Sequence, residues 1–312
     1  MTKSFKKSKL YLIAILCTML WGSAIPTIKL GYEVFNITSS ATADKLLFAG
    51  VRFFGAGLLI IIPYFFIHKK IKLTKKLCAD SLVLGLIQTA GQYFFMYIGL
   101  AYITGVNASV FNSVGTLLYI LLAWIIYRDE KLSKLKVAGC LIGFSGIFIN
   151  SLATQKMGTL SFKGDGFIII SNICVAIGFL YSKRSAKASN PFLLTGIQMS
   201  IGGFILLAIG LILGGKLPTI TAEGMALLLY LMLVSSVAFS LWTLLLRDYS
   251  AALVGVFNFL TPVFGTIFSY LLSVFGLLKE KSAFTVYTGL AIICSAGGIF
   301  LSSLKTATKN NI

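Results

Sequence analysis

The sequence is poor in charged side chains, and poorest in acidic ones. Only 12% of its 312 residues are charged, with nine Asp and Glu and a single histidine, whereas about 25% is typical of soluble proteins. A soluble fold with 57% apolar residues and so little charge would expose large apolar patches to water. The composition therefore excludes a soluble enzyme, a disordered chain and a nucleic-acid-binding protein, so no nucleic-acid partner is expected.

Clusters of metal-ligating and nucleophilic side chains are also missing. The five cysteines stand apart, and neither a Cys-x-x-Cys motif nor a Cys/His cluster occurs. A multispan membrane enzyme usually needs an inward cluster of His, Asp, Glu or Cys for its chemistry. The nucleotide-binding pattern GxxxxGK[ST] does not occur either. The sequence therefore predicts no metal, no cofactor, no catalytic residue and no ATP-driven pump.

Ten apolar runs fill most of the chain. A helix needs about 20 mostly apolar residues to cross a bilayer, and these runs are apolar on nearly every face, as buried or lipid-facing helices are. The first run is long enough to span and lacks a convincing cleavage site, so we expect an uncleaved helix rather than a signal peptide. The runs cover residues 10–30, 43–67, 79–99, 101–126, 134–153, 164–182, 192–214, 222–246, 249–276 and 282–303.

Lysine and arginine are distributed unevenly between the segments that connect the runs. With a cytoplasmic N-terminus, 19 of the 27 basic residues fall on inner segments and seven on outer segments, while Arg52 lies inside a run. Cytoplasmic loops of membrane proteins carry an excess of Lys and Arg. Because an even number of spans returns the chain to its starting side, we expect a multi-pass plasma-membrane protein with both termini in the cytoplasm.

The second half of the chain is similar to the first at a shift of about 150 residues. A unit of five helices is odd, so the second copy enters the bilayer from the opposite side. We therefore predict an all-α integral membrane protein of ten transmembrane helices, arranged as two inverted five-helix repeats over residues 1–153 and 164–304. Folds of this kind place a solute site near the midplane. The matching positions are Gly115 with Gly265, Glu130 with Glu280, Gly139 with Gly289 and, at a slightly smaller shift, residues 49–52 with residues 195–198.

Three short motifs stand in the first, second and ninth runs. They are Trp21-Gly22-Ser23, Gly50-Val51-Arg52-Phe53 and Thr261-Pro262-Val263-Phe264, and Glu280 follows the last. In this combination the chain resembles the EamA-like, ten-helix branch of the drug/metabolite transporter superfamily over essentially its whole length. The resemblance implies one EamA-like repeat in each half and a small-molecule solute as the partner.

One departure from the family pattern concerns the bend of the fourth helix. Asn112 is the first-half counterpart of Pro262, at a position where many members of the family carry proline. The bends of the fourth and ninth helices are therefore expected to differ.

Polar residues in the ninth run recur at a helical spacing. Asn258, Thr261, Pro262 and Gly265 stand at i, i+3, i+4 and i+7, which places them on one face. Polar groups avoid lipid, so this face points into the bundle. Pro262 has no N–H and frees the carbonyl of Asn258. The face is either a cavity wall with a hinge at Pro262 or a packing surface of small residues with Asn and Thr as polar glue.

Other runs carry polar and aromatic residues that have the same two interpretations. Each residue alone is more often structural, but their convergence from several helices favours a polar and aromatic cavity. The two tryptophans have a further alternative, since Trp also marks the membrane interface. The candidate substrate-binding residues are Trp21, Gln88, Gln92, Asn112, Asn172, Trp242, Asn258 and Thr261, with candidate hinges at Pro26 and Pro262.

Charged residues inside the runs are nearly absent. Arg52 is the one charge well inside a span, and it either faces an anionic group of the solute or is a structural arginine bonded to neighbouring groups. No Asp or Glu is expected deep in a span, so no proton relay through a buried carboxylate is predicted. Gly139 and Gly143 form a small-residue face that packs either within the fold or in a homodimer.

These features favour a secondary transporter that works by alternating access. A cavity that is uncharged apart from Arg52 favours amino acids or similar neutral or zwitterionic solutes, and export as the direction is implied by the family resemblance alone. An importer or a lipid-precursor flippase is the alternative within the transporter class. A multispan membrane enzyme is the alternative from a different class, and we do not expect one.

Overall fold

The computed structural model describes residues 3–38, 40–68, 73–100, 102, 105–127, 133–154, 161–216, 221–277 and 285–304. Nearly all of these residues are helical, and no β-strand occurs among them. The helices are α1 (Lys3–Val34), α2 (Thr42–Ile67), α3 (Lys75–Gly99), α4 (Gly105–Ile126), α5 (Lys134–Thr154), α6 (Phe162–Ala188), α7 (Pro191–Ile212), α8 (Ala222–Asp248), α9 (Ala251–Val274) and α10 (Val286–Leu304).

Eight of these helices are long and apolar enough to cross a membrane. The other two, α4 and α10, contain the shorter apolar stretches Phe111–Ile126 and Val286–Ser302. Many large apolar side chains are exposed, among them Phe66 and Ile212 at 83% each, as expected for a surface that faces lipid. The prediction of an all-α, multi-pass membrane protein with ten helices is confirmed.

Side-chain caps begin several of the helices and allow tight turns between them. Asn190 accepts hydrogen bonds from the backbone N–H groups of Phe192 and Leu193, and Pro191 occupies the first turn of α7. Ser250 similarly accepts from the backbone of Leu253 at the start of α9. Such residues satisfy N–H groups that have no partner within the helix. The chain therefore reverses within a few residues between α6 and α7 and between α8 and α9.

Three helices are irregular, and the hydropathy pattern does not reveal this. A π-helical segment, Gly85–Gly91, interrupts α3, and a second one, Phe162–Gly166, begins α6. In α9 a 3₁₀ turn covers Phe257–Phe259, just before Pro262. Prolines lack the N–H that an interior helical turn needs, so the altered turn lies where the sequence predicts a bend.

Close helix packing depends on glycines. α2 packs along α7, and α5 packs along α10. A Cβ atom added at Gly50 would meet the backbone of Leu207, and one added at Gly203 would meet the backbone of Phe54. Each of these glycines therefore lets two helix backbones approach directly.

The glycine face of α5 is occupied within the chain. A Cβ atom at Gly139 would meet Gly298 on α10, and one at Gly143 would lie 2.9 Å from the ring of Phe259. Of the two interpretations of this face, the structure therefore shows packing within the fold. This surface is not available to a second copy of the chain.

Candidate functional site

Aromatic side chains from three helices meet in the middle of the bundle. The ring centroids of Trp21 on α1 and Trp242 on α8 are 4.9 Å apart, and Phe239 on α8 lies 5.2 Å from Trp21. Phe179 on α6 stacks on Trp21 at 6.0 Å and lies 5.8 Å from Trp242. We call these four residues the aromatic cluster. The alternative of an interfacial position is wrong for Trp242, which is fully buried.

Several polar atoms in and beside this cluster have no hydrogen-bond partner. They include the indole Nε1 of Trp21, the indole Nε1 of Trp242 and the hydroxyl of Ser240, all of them buried. A buried donor without a partner costs roughly 1–3 kcal/mol. Such groups are expected where a solute or water supplies the missing acceptor, so the structure brings Trp21 and Trp242 together at a place suited to a bound molecule.

The two glutamines of α3 differ in their surroundings. Gln88 accepts a hydrogen bond at 2.9 Å from the Ser182 hydroxyl, and its side chain packs against Gly178. Gln92 is also buried, but its Oε1 has no partner. Gln88 therefore links α3 to α6, whereas the side-chain oxygen of Gln92 has no such link.

Asn112 and Asn172 are not placed together as open solute contacts. Asn172 donates from Nδ2 to the carbonyl of Phe111 at 3.1 Å, and its side chain fills the space beside Gly115. Asn112 is exposed. The geometry therefore assigns Asn172 to the packing of α6 on α4.

The polar face of α9 lies on the side of α1. A Cβ atom at Gly22 would lie 2.8 Å from the backbone nitrogen of Gly265. The hydroxyl of Thr261 is buried without a partner, and Asn258 lies half-buried in the 3₁₀ turn. Pro26, the other candidate hinge, is buried inside α1. Thr261 thus adds a further unsatisfied group to the bundle interior.

Arg52 has a more specific environment than the sequence indicates. Its side chain is only 2% exposed, and its Nε donates to the Ser235 hydroxyl at 2.9 Å. The guanidinium carbon lies 4.9 Å from the centroid of the Phe53 ring. The Nη1 atom is buried and has no partner. The Nε atom of Arg52 therefore has a hydrogen-bond partner, whereas its Nη1 atom has none.

Tyrosines surround this guanidinium. The ring of Tyr93 stacks near Phe53 at 4.1 Å, and Tyr97 follows one turn later at 6.2 Å from Tyr93. The hydroxyl of Tyr97 is buried, and it lies beside the Arg52 guanidinium and the Tyr32 hydroxyl. Nothing in the sequence pattern pairs residues of α2, α3 and α8, so this grouping is visible only in the fold.

Two carboxylates are buried close to the starts of their helices. Asp80 is 7% exposed in the second turn of α3, where its Oδ1 accepts from the Tyr181 hydroxyl at 2.8 Å. Asp165 is also buried, and it accepts from the backbone of Ser161 at the start of α6. Both lie near helix ends, where acidic residues ordinarily serve as caps, so neither contradicts the prediction that no carboxylate lies deep in a span.

Comparisons with known proteins agree with this architecture. The profile of the EamA-like transporter family matches the chain twice, over residues 8–152 and 162–304. An uncharacterized transporter of Archaeoglobus fulgidus is 27% identical over 96% of this chain and 98% of its own length. The uncharacterized transporter YyaM of Bacillus subtilis is 26% identical over 85% of this chain and 86% of its own.

A plant relative and a solved structure extend the likeness. A chloroplastic WAT1-related protein of Arabidopsis thaliana is 27% identical over 80% of this chain and 60% of its own length. A crystal structure superposes with a TM-score of 0.76 at 18% identity, covering 96% of this chain and 98% of the other. At that identity the superposition shows the shared fold alone.

Proposed function

Because the chain belongs to the EamA-like transporter family of the drug/metabolite transporter superfamily, we propose that it is a secondary transporter that carries small metabolites by alternating access. The observation that carries this proposal is the set of buried, unpartnered polar atoms beside the aromatic cluster. A purely structural core would satisfy these atoms internally. A transport site leaves them free for its solute.

Helix contacts support the proposed inverted repeat. Shifting residue numbers by 146 carries Gly50 onto Gly196 and Ile61 onto Leu207. Gly50 packs against Leu207, and Gly196 packs against Ile61. The same contact thus occurs twice, with the roles of α2 and α7 exchanged. Such paired contacts are expected of repeats related by a twofold axis in the membrane plane.

A second pair of contacts supports the same symmetry further along the chain. The packing of Gly22 on Gly265 corresponds, at a shift of 150, to the packing of Asn172 on Gly115. The two matches to the family profile lie on either side of residues 153–161, which supports repeats over residues 1–153 and 164–304. Rocking of one repeat against the other would then expose the central site alternately to each side.

The chemistry of the site favours amphipathic solutes. Aromatic faces offer apolar contact, while indole N–H groups and the Gln92 amide offer hydrogen bonds to a few polar atoms. Amino acids and similar neutral or zwitterionic metabolites have this character. We propose a plasma-membrane protein with both termini cytoplasmic, on the basis of the distribution of lysine and arginine. Export as the direction rests on the family resemblance alone.

Flux in vesicles tests the proposal directly. The purified protein is reconstituted in liposomes, and uptake of labelled amino acids and nucleosides is measured with and without the same unlabelled solute inside. Alternating access predicts saturable uptake that internal solute accelerates. Uptake equal to that of protein-free liposomes for the whole panel would overturn the proposal.

A further inference from the structure

Arg52 is a buried charge without a counter-charge. No carboxylate pairs with it among the residues that the structure describes, and it is 2% exposed. Holding an unpaired charge away from water is costly, and charged residues inside membrane spans ordinarily pair with another group or line a pathway. The neutral hydroxyl of Ser235 and the Phe53 ring stabilise the guanidinium only in part. An anion is the group missing from this environment.

Two unsatisfied donors identify where that anion would lie. Nη1 of Arg52 and the hydroxyl of Tyr97 are both buried and unpartnered, and Tyr97 is 1% exposed. The Tyr97 hydroxyl lies beside the guanidinium and also beside the Tyr32 hydroxyl. Arg52 and Tyr97 come from α2 and α3, so they could hold a group between helices that belong to the same half. A carboxylate has two oxygens, one for each of these donors.

The other half of the chain shows that the scaffold does not need a charge here. At the shift of 146 residues, Arg52 corresponds to Gln198, and its partner Ser235 corresponds to Thr89. Gln198 accepts a hydrogen bond from the Thr89 hydroxyl at 2.8 Å. A neutral amide therefore makes the equivalent link between α7 and α3. Only the first half carries a positive charge at this position, so helix packing does not account for the charge of Arg52.

The position of Arg52 relative to the aromatic cluster limits the length of a solute. Its partner Ser235 precedes Phe239 and Trp242 on α8. A helix rises about 1.5 Å per residue, so these two cluster residues lie roughly 6 and 10 Å further along the axis. A molecule with an anionic group at one end and an apolar group at the other would reach from Arg52 to the aromatic cluster.

We propose that Arg52 and Tyr97 bind the carboxylate of an amphipathic monocarboxylate or zwitterionic solute whose apolar part extends toward the aromatic cluster. This inference rests on the proposed transport function and names its substrate class. A single guanidinium matches one negative charge, which favours a carboxylate over a phosphate dianion. The site is formed before any solute arrives, because Ser235 orients the guanidinium.

Thermal unfolding of the purified protein with matched probes tests this site. The probes are 3-phenylpropionate, its neutral amide 3-phenylpropanamide and phenyl phosphate. We expect the carboxylate to raise the unfolding temperature in a saturable manner, and the other two to act at least about tenfold more weakly. Stabilisation by the amide equal to that by the carboxylate, or stronger stabilisation by phenyl phosphate, would overturn the assignment.

Two variants locate the effect. Arg52→Gln introduces the amide present at Gln198, so the fold has a precedent for it, and we expect carboxylate affinity to fall by about tenfold or more. Tyr97→Phe keeps the ring, and we expect it to lower the affinity for the carboxylate by about fivefold. If both variants bind 3-phenylpropionate as the native protein does, the inference is wrong. The comparison of the carboxylate and amide probes uses the native protein, so it still tests the proposal if either variant fails to fold.

Flux separates this inference from the proposed function. Trans-accelerated uptake of neutral solutes in liposomes would stand even if no probe distinguishes a carboxylate. In that case transport is retained and the anion site is rejected. Absence of any flux together with carboxylate-specific binding would reject transport and keep the site.

Discussion

The guanidinium Nε of Arg52 donates a hydrogen bond to the Ser235 hydroxyl at 2.9 Å, which joins α2 to α8. The Ser235 hydroxyl itself donates a hydrogen bond to the carbonyl of Leu231 at 2.9 Å, so its oxygen is oriented to accept from Arg52. The equivalent link in the other half joins two neutral side chains, Thr89 and Gln198. The two halves thus share a contact but differ in charge, and this difference suits a transporter that distinguishes one end of its solute from the other.

Removing the hydroxyl of Ser235 tests whether this contact positions Arg52. We expect Ser235→Ala to weaken 3-phenylpropionate binding by about fivefold, because the guanidinium loses the acceptor that orients it. Thr89→Ala is the matched control, since it breaks the equivalent bond between two neutral side chains. Both variants should lower stability by roughly 0.5–1 kcal/mol. Equal losses of binding in the two variants would show that the loss comes from a general destabilisation of the helix packing and not from the position of Arg52.

The two glutamines of α3 provide a second matched pair. We expect Gln92→Leu to reduce flux by about fivefold at unchanged stability, because its unpartnered amide oxygen is available to the solute. Gln88→Leu should instead lower the unfolding temperature, since it leaves the Ser182 hydroxyl without its acceptor. Flux in liposomes and thermal unfolding measure the two effects. Normal flux in Gln92→Leu would assign this residue to packing.

Glycine substitutions test the close approach of α2 and α7. A methyl group at Gly203 would meet the backbone of Phe54, which cannot move aside cheaply. We expect Gly203→Ala to cost about 1–3 kcal/mol of stability by overpacking. Gly289→Ala is the control, because nothing lies within 4 Å of an added Cβ atom there. The unfolding midpoint in detergent should be lower for Gly203→Ala than for Gly289→Ala. Equal midpoints would contradict the close contact of Gly203 with the backbone of Phe54.

Asp80 tests whether a buried carboxylate couples transport to protons. We expect Asp80→Asn to keep flux within about twofold of the native value, with or without a protonophore, because an amide oxygen still accepts from Tyr181. The measurement is uptake in liposomes with and without a proton gradient. A folded variant that exchanges solute but no longer accumulates it would instead identify Asp80 as the coupling residue.

Cysteine labelling tests the orientation in the membrane. Cys78, near the start of α3, is the exposed native cysteine, while the others are buried or partly buried. We expect a membrane-impermeant maleimide to leave Cys78 unlabelled in sealed cells and to label Lys216→Cys in a Cys78→Ser background. Labelling with a permeant maleimide controls for reactivity. Reaction of Cys78 from outside would reverse the proposed topology.

The sequence match and the backbone contacts favour slightly different registers for the proposed repeat. The sequence match placed Gly139 opposite Gly289. In the structure Gly139 packs against Gly298, and Gly146 packs against Ala291. These contacts become symmetric only when Gly146 corresponds to Gly298, a shift of 152. Small-residue sequences align almost equally well at several offsets, whereas backbone contact selects one.

The sequence by itself determined the ten helices and their class of environment, because apolar length and the shortage of charge leave a helical chain few alternatives to a bilayer. It also indicated Arg52 and Trp242 as residues of interest. Only the tertiary structure decided that Gln88 is satisfied while Gln92 is not, and that Arg52 meets Ser235 and Tyr97. Those relationships depend on the rotation and depth of helices distant in sequence, and packing contacts rather than hydropathy set both quantities.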